Sequence, residues 1–282
     1  MSTIRHVLRN HPARREDIGD LVTRRPEASA ESLDPFLFIN HHGPQIYPPH
    51  NRGLPFGPHP HRGFETVTFI LDGALSHKDS GGHESVIHAG GVQWMTAGSG
   101  LVHAELSPES FKEEGGPLEI LQLWVNLPAR LKMTAPAYVG LEAADIPAVD
   151  SDDGNATVEL ISGAYRGVKG PVESIADIAM MVLKLRPGAR LELPVAPERT
   201  VFLYVVSGAP KVGGTPLAAH SLAELGDGDI VLIEADGDAT ILFGHGAPYR
   251  EPIFAHGPFV MNRREEIVQA IEDYQAGRLG AL

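Results

Sequence analysis

Two short clusters of metal-ligating side chains constrain the fold more than any other feature of this chain. The first is His59-Pro60-His61-Arg62-Gly63-Phe64-Glu65, the second Gly100-Leu101-Val102-His103-Ala104-Glu105. In each, two ligand-type residues stand at i and i+2, which an extended backbone turns to one face. His59 and His61 therefore converge, as do His103 and Glu105, and antiparallel strands between the clusters would bring the two pairs together. Three imidazoles and one carboxylate suit a borderline divalent transition metal: iron(II), nickel, manganese, copper or zinc. Four protein ligands in an octahedron leave two adjacent positions open, as oxygen chemistry requires and a closed structural site does not. Glu65, four residues after His61, reads as a further carboxylate on the same face, a fifth ligand or a partner that orients an imidazole.

The sequence between and after the clusters is β in character. Thr66-Val67-Thr68-Phe69-Ile70-Leu71 is rich in branched and aromatic residues and ends at Asp72-Gly73, a turn signal. Gly81-Gly82 and Gly90-Gly91 punctuate further strands. Leu121, Leu123, Val125 and Leu127 alternate with Gln122, Trp124 and Asn126, the pattern of a half-buried strand that Pro128 ends. Upstream, Phe36-Leu37-Phe38-Ile39 reads as a buried strand, with His41-His42 as surface or hydrogen-bonded core. Residues 43–60 hold three glycines and six prolines, which exclude helix and central strand and suggest a rigid rim leading onto His59. His77, His83 and His88 read as surface or locally hydrogen-bonded. Many short strands with glycine turns point to an all-β sandwich or barrel.

The second half repeats the first weakly. At an offset of 135, Leu71-Asp72-Gly73-Ala74 falls on Val206-Ser207-Gly208-Ala209, and Gly91 on Gly226. The same offset carries His59, His61, His103 and Glu105 to Pro194, Ala196, Asp238 and Thr240, so one metal site is expected, in the first module. The acidic, apolar-poor stretch 143–155 places the boundary between domains 1–142 and 143–282. A closing helix is expected over 262–277, with Asn262 as N-cap, Glu265 at N3, Ile267, Ile271 and Tyr274 as its apolar stripe and Gly277 as C-cap.

A chain of 282 residues, 43% hydrophobic, can build two packed modules. It has no cysteine, which excludes disulfides, thiolate zinc sites and cysteine nucleophiles. A net charge of −13 argues against direct nucleic-acid binding, and the Arg14-Arg15 and Arg24-Arg25 pairs read as solvated surface. Neither a signal peptide nor an apolar run of roughly 18 residues is present, so a cytoplasmic chain without a membrane partner is expected.

The segments His59-Pro60-His61-Arg62-Gly63-Phe64-Glu65-Thr66-Val67, Gln93-Trp94-Met95-Thr96-Ala97-Gly98-Ser99-Gly100 and His103-Ala104-Glu105 resemble the pirin family of the cupin superfamily. Gln122 to Pro128 and Gly257-Pro258-Phe259-Val260-Met261-Asn262 are similar to pirins as well, so the likeness spans nearly the whole chain. It implies a bicupin: two β-barrel domains face to face, with metal in the N-terminal one only. It also implies His59, His61, His103 and Glu105 as ligands, Glu65 behind them, and iron as the usual metal. Bacterial members resemble quercetin 2,3-dioxygenases, which open a flavonol ring with O₂ and release carbon monoxide. Eukaryotic relatives act as nuclear co-regulators. The resemblance therefore implies an Fe(II) oxidoreductase on a flavonol-like aromatic, and Glu105, loosened from the metal, is the candidate general base because a carboxylate within hydrogen-bond reach takes a proton. The alternative is a redox-sensing metal protein that regulates through a protein partner. The rim at 40–58, with His41-His42 and Tyr47-Pro48-Pro49-His50, departs from the family pattern and leaves the substrate open.

Overall fold

The computed structural model describes residues 2–282 and is dominated by antiparallel strands. Chain contacts divide it into two units, neither of them contiguous. One holds Arg15–Arg25, Phe36–Ala144 and Arg250–Leu282; the other holds the chain up to Arg14, Pro26–Pro35 and Asp145–Tyr249. The change at Ala144/Asp145 falls inside the acidic stretch 143–155. The ends of the chain depart from a simple division at 142/143. The closing helix packs with the histidine-bearing unit, and the first strand hydrogen-bonds Ser221–Leu225 of the other.

In the histidine-bearing unit, the run Thr66-Val67-Thr68-Phe69-Ile70-Leu71 lies in the strand Phe64–Asp72. This strand pairs with Gly116–Asn126 and Val92–Thr96. Gly116–Asn126 pairs in turn with Phe36–Tyr47, which continues through Gly43-Pro44. The Gly/Pro-rich segment is thus strand at both ends, and only 48–55 lies between them. A second sheet runs in the order Phe56–His61, Leu101–Leu106, Ala74–Asp79, Glu84–His88.

The other unit has the same plan. Its four-stranded sheet runs Ala189–Pro194, Ile230–Ala235, Lys211–Val212, Thr215–Pro216, again first, fourth, second and third in chain order. Its larger sheet centres on Thr200–Ser207, Ala239–Gly246 and Ile178–Leu185. The weak sequence repeat is therefore a repeat of topology. Gly73 and Gly208 both end their strands at positive φ, as the matched turns require. The Gly91/Gly226 match does not carry over, because Gly91 precedes a strand and Gly226 follows one. Leu183, Leu203, Val205, Val231, Ile233, Ile241 and Phe243 fill the interior of this unit.

The closing helix spans Arg264–Gln275, within the expected 262–277. Its cap sits one residue later than the sequence suggested. Arg263 is the N-cap and Glu266 the N3 residue, whose carboxylate accepts the Asn262 and Arg263 backbone N–H groups. Ile267 and Ala270 are the buried positions, whereas Tyr274 is 41% exposed. This helix and the hairpin Phe254–Met261 pack on the histidine-bearing strands through Val102, Phe259, Met261, Ile267, Ala270 and Leu279.

Gly63 marks the closest approach. Its φ is +88° and a Cβ there would stand 2.0 Å from the Val260 carbonyl oxygen. Val260 N–H donates to Arg62 O at 3.0 Å, and the buried Lys132 ammonium donates to Gly63 O (2.8 Å), Val260 O (3.0 Å) and Asn126 Oδ1 (2.6 Å). Substituting Gly63→Ala adds a left-handed penalty to a backbone clash, so it should cost at least about 2 kcal/mol in a denaturant titration.

Candidate metal centre

Strand pairing builds the site. Phe56–His61 and Leu101–Leu106 run antiparallel with His59 opposite His103 and His61 opposite Leu101. The i, i+2 rule then puts His59, His61, His103 and Glu105 on one face. The coordinating nitrogens of His59, His61 and His103 lie within 4.8 Å of one another. The ring centroids are 4.4 Å apart for His59 and His103, and 4.8 Å for His61 with either neighbour.

The hydrogen bonds select a ligand-ready form. His59 Nδ1 donates to Gly57 O at 2.7 Å and His61 Nδ1 to Pro258 O at 3.3 Å. A carbonyl only accepts, so Nδ1 carries the proton and Nε2 keeps its lone pair. His103 is fully buried and neither ring nitrogen has a hydrogen-bond partner. An orphaned buried polar group costs about 1–3 kcal/mol, and a metal ion would satisfy it. Burial lowers the pKa of all three: His59 below the usual range, His61 down to about 3 with His59 adding to the effect, and His103 well below. Neutral imidazole is the form that coordinates, so the donor set fits a borderline divalent cation.

Glu105 shares the strand face, but its carboxylate lies outside the group formed by the three histidines. It accepts hydrogen bonds from Thr68 Oγ1 at 3.0 Å and Gln122 Nε2 at 2.5 Å. Burial raises its pKa to about 7, against the pull of those two donors. Glu65 is not on this face. Arg62-Gly63 breaks the strand after His61, and Glu65 enters the other sheet with opposite parity to Thr68. Its carboxylate accepts from Thr96 Oγ1 at 2.6 Å and is buried away from the histidines, so neither role expected for it is available.

The alternation in Gly116–Asn126 has an unexpected sense. Leu121, Leu123 and Val125 are buried, while the less buried Gln122 and Trp124 turn toward the histidine cluster. The Trp124 ring stacks on Phe64 (4.1 Å, 29°) and stands 4.4 Å from Phe38 and 5.1 Å from His61. Together they form an aromatic wall beside the cluster.

His77 is locally hydrogen-bonded, one of the two states expected of it, and its ring also lies 5.5 Å from that of His103. It is buried, its Nε2 lies 3.0 Å from Asp79 Oδ2, and its ring stacks on Tyr138 at 4.0 Å and 7°. Glu105 pairs across the sheet with His77, and His103 with Asp79. The signal was the i, i+2 spacing of His77-Lys78-Asp79, the same as in the ligand pairs. His83 Nδ1 also bonds Asp79, and His88 pairs with Glu142 at the surface. His41 and His42 are hydrogen-bonded core: His41 Nε2 is 2.8 Å from Glu119, and His42 Nδ1 is 2.9 Å from Thr23 Oγ1.

In the other unit the corresponding strands pair Leu191 with Ile233 and Leu193 with Val231. The inward positions on these strands, Leu191, Leu193, Ile233 and Ala235, are all buried in its apolar core.

Comparison with known proteins now decides the family. Residues 18–125 match the pirin family model and residues 180–280 the pirin C-terminal cupin domain. The chain belongs to the pirin family. A pirin-like protein of Caulobacter vibrioides is 45% identical over 251 residues, 88% of each chain. A quercetin 2,3-dioxygenase structure from Acinetobacter baumannii superposes with a TM-score of 0.94 at 35% identity, covering 99% of each chain. The Escherichia coli pirin YhhW, solved with nickel(II), superposes at TM-score 0.67 and 22% identity over 85% of this chain and 99% of that one, a likeness of fold. The pirin-family assignment and these structures establish the two-cupin architecture with a C-terminal helix. No helix among the described residues is long and apolar enough to cross a membrane.

Two predictions follow from the geometry of this pirin. Elemental analysis should find one equivalent of divalent metal in the wild type and under about a tenth of that in His103→Ala, since even residues behind the ligands are worth 10–100-fold in affinity. The second concerns His42, whose pKa burial lowers from 6.5 to about 4, with His41 and Arg25 adding to it. Between those values the unfolded chain holds a proton that the folded chain refuses. The contribution of His42 to stability is thus complete above pH 6.5 and is lost as pH falls toward 4. In His42→Gln, stability should fall by about 1–3 kcal/mol less over that window, read from denaturant midpoints at successive pH values.

Proposed function

We propose that this pirin is a mononuclear metal dioxygenase of the quercetin 2,3-dioxygenase type, acting on a flavonol-like aromatic in the cytoplasm. In this reading His59, His61, His103 and Glu105 hold the metal, with Fe(II) as the working ion. The observation that carries it is the buried cluster of three neutral imidazoles, beside a carboxyl with a pKa of about 7 and an aromatic wall. The likeness to the Acinetobacter baumannii quercetin 2,3-dioxygenase supports the substrate class.

The bound metal would supply Lewis acidity toward a substrate hydroxyl and redox chemistry with O₂. The remaining work falls to the chain. Trp124, backed by the fully buried Phe64, offers a flat apolar face on which a fused aromatic ring would stack next to His61. Glu105 would take the hydroxyl proton when it loosens from the metal, as a carboxylate within hydrogen-bond reach can. Thr68 and Gln122 hold its two oxygens in place for that transfer. Burial of His61 and His103 keeps bulk water from the reacting atoms and strengthens every polar interaction there.

The test is O₂ uptake by protein loaded anaerobically with Fe(II) and then given quercetin. Equimolar loss of O₂ and quercetin is expected. Glu105→Ala should abolish turnover, and Trp124→Ala should raise KM about tenfold, on the order of one aromatic contact. Fully metal-loaded protein that consumes no O₂ with any flavonol would overturn the reading.

A further inference from the structure

A second cavity lies in the histidine-bearing unit, outside the cluster itself. It has a volume of about 400 Å³ and is bounded by the hairpin residues Phe254, Ala255 and His256 and the helix residues Arg264, Ile267, Val268 and Ile271. The helix contributes positions i, i+3, i+4 and i+7, one continuous stripe. The stripe is apolar except at its N-terminal end, where Arg264 stands. Phe254 is 45% exposed and Val268 49%, an unusual outlay of apolar surface for residues this close together.

The lining has one charged group, the Arg264 guanidinium. Among the described residues, neither the Arg264 guanidinium nor the His256 imidazole has an ion-pair or hydrogen-bond partner, and no carboxylate lines the cavity. The neighbouring Arg263 is instead engaged with Glu266. An unpaired guanidinium above an apolar floor is complementary to one chemistry, an anionic oxygen pair on an apolar body. The volume falls within the range of small-molecule pockets, about 300–1,000 Å³.

We propose that this cavity is a binding site for a small apolar carboxylate, with the carboxylate forked by Arg264 and the hydrocarbon body resting on Phe254, Ile267, Val268 and Ile271. The site does not depend on the dioxygenase reading. Its wall is nevertheless part of the metal centre's support. The hairpin that carries Phe254 and His256 also carries Pro258, whose carbonyl orients His61, and the helix carries Asp273, whose carboxylate accepts from Arg62 Nη1 at 2.7 Å.

The test is calorimetric titration of the metal-loaded protein with 2-naphthoate and with its uncharged counterpart 2-naphthamide. Saturable binding of naphthoate is expected, at least tenfold weaker for the amide and at least tenfold weaker in Arg264→Gln. Val268→Glu, which places a carboxylate at an exposed position in the stripe, should abolish it. Both variants alter exposed side chains, and unchanged denaturation midpoints would show that they fold. Equal affinity in the wild type and Arg264→Gln overturns the proposal, as does the absence of binding. Binding that survives Arg264→Gln but disappears in His103→Ala also overturns it, because the ligand then sits on the metal centre.

Discussion

The structure of the histidine-bearing unit depends on keeping three imidazoles neutral and within 4.8 Å of one another, two of them buried and His59 half-buried. Burial removes the charged form of each ring. The Gly57 and Pro258 carbonyls then fix which nitrogen keeps its lone pair on two of them. The third has no hydrogen-bond partner, and a bound cation would take its lone pair. The elements around the cluster answer to that requirement. The chain returns from its far end to place Pro258 against His61. Lys132 ties Gly63 to Val260, and the helix anchors Arg62 through Asp273. The C-terminal tail is thus part of the metal centre's frame.

The two units show what the same topology does with different side chains. Their four-stranded sheets have one strand order. On the inward faces of the paired strands one unit has His59, His61, His103 and Glu105, and the other has Leu191, Leu193, Ile233 and Ala235. The apolar set fills the interior and gains the hydrophobic stabilisation of a closed core. The polar set gives up that gain and leaves desolvated groups that a cation can satisfy. The two units thus share a topology and differ in what fills it, a histidine cluster in one and an apolar core in the other.

Much of this was legible in the residues. The i, i+2 spacing predicted which ligand side chains share a face, and the three histidines do meet. The Asp72-Gly73 turn and the weak repeat were visible for the same reason: turns and strands are local. The sequence erred where the backbone breaks or the register shifts. Glu65 was placed with His61 by counting residues, but Arg62-Gly63 carries it into another sheet. The offset of 135 aligned the turn at Gly73 with that at Gly208 but not Gly91 with Gly226. His77 is locally hydrogen-bonded as read, but only its pairing opposite Glu105 shows how near the cluster it lies.

The sequence by itself determined the β architecture, the two modules and the residue types available to a metal, because alternation and glycine turns act over a few residues. Tertiary structure alone decided which side of each strand is the interior. It turned Gln122 and Trp124 inward and Glu65 away, and it brought the tail Arg250–Leu282 onto the histidine strands. Those outcomes depend on strand register and on contacts between residues some 200 positions apart, such as His61 with Pro258. A one-residue slip in register reverses every side chain on a strand, and no local pattern fixes that choice.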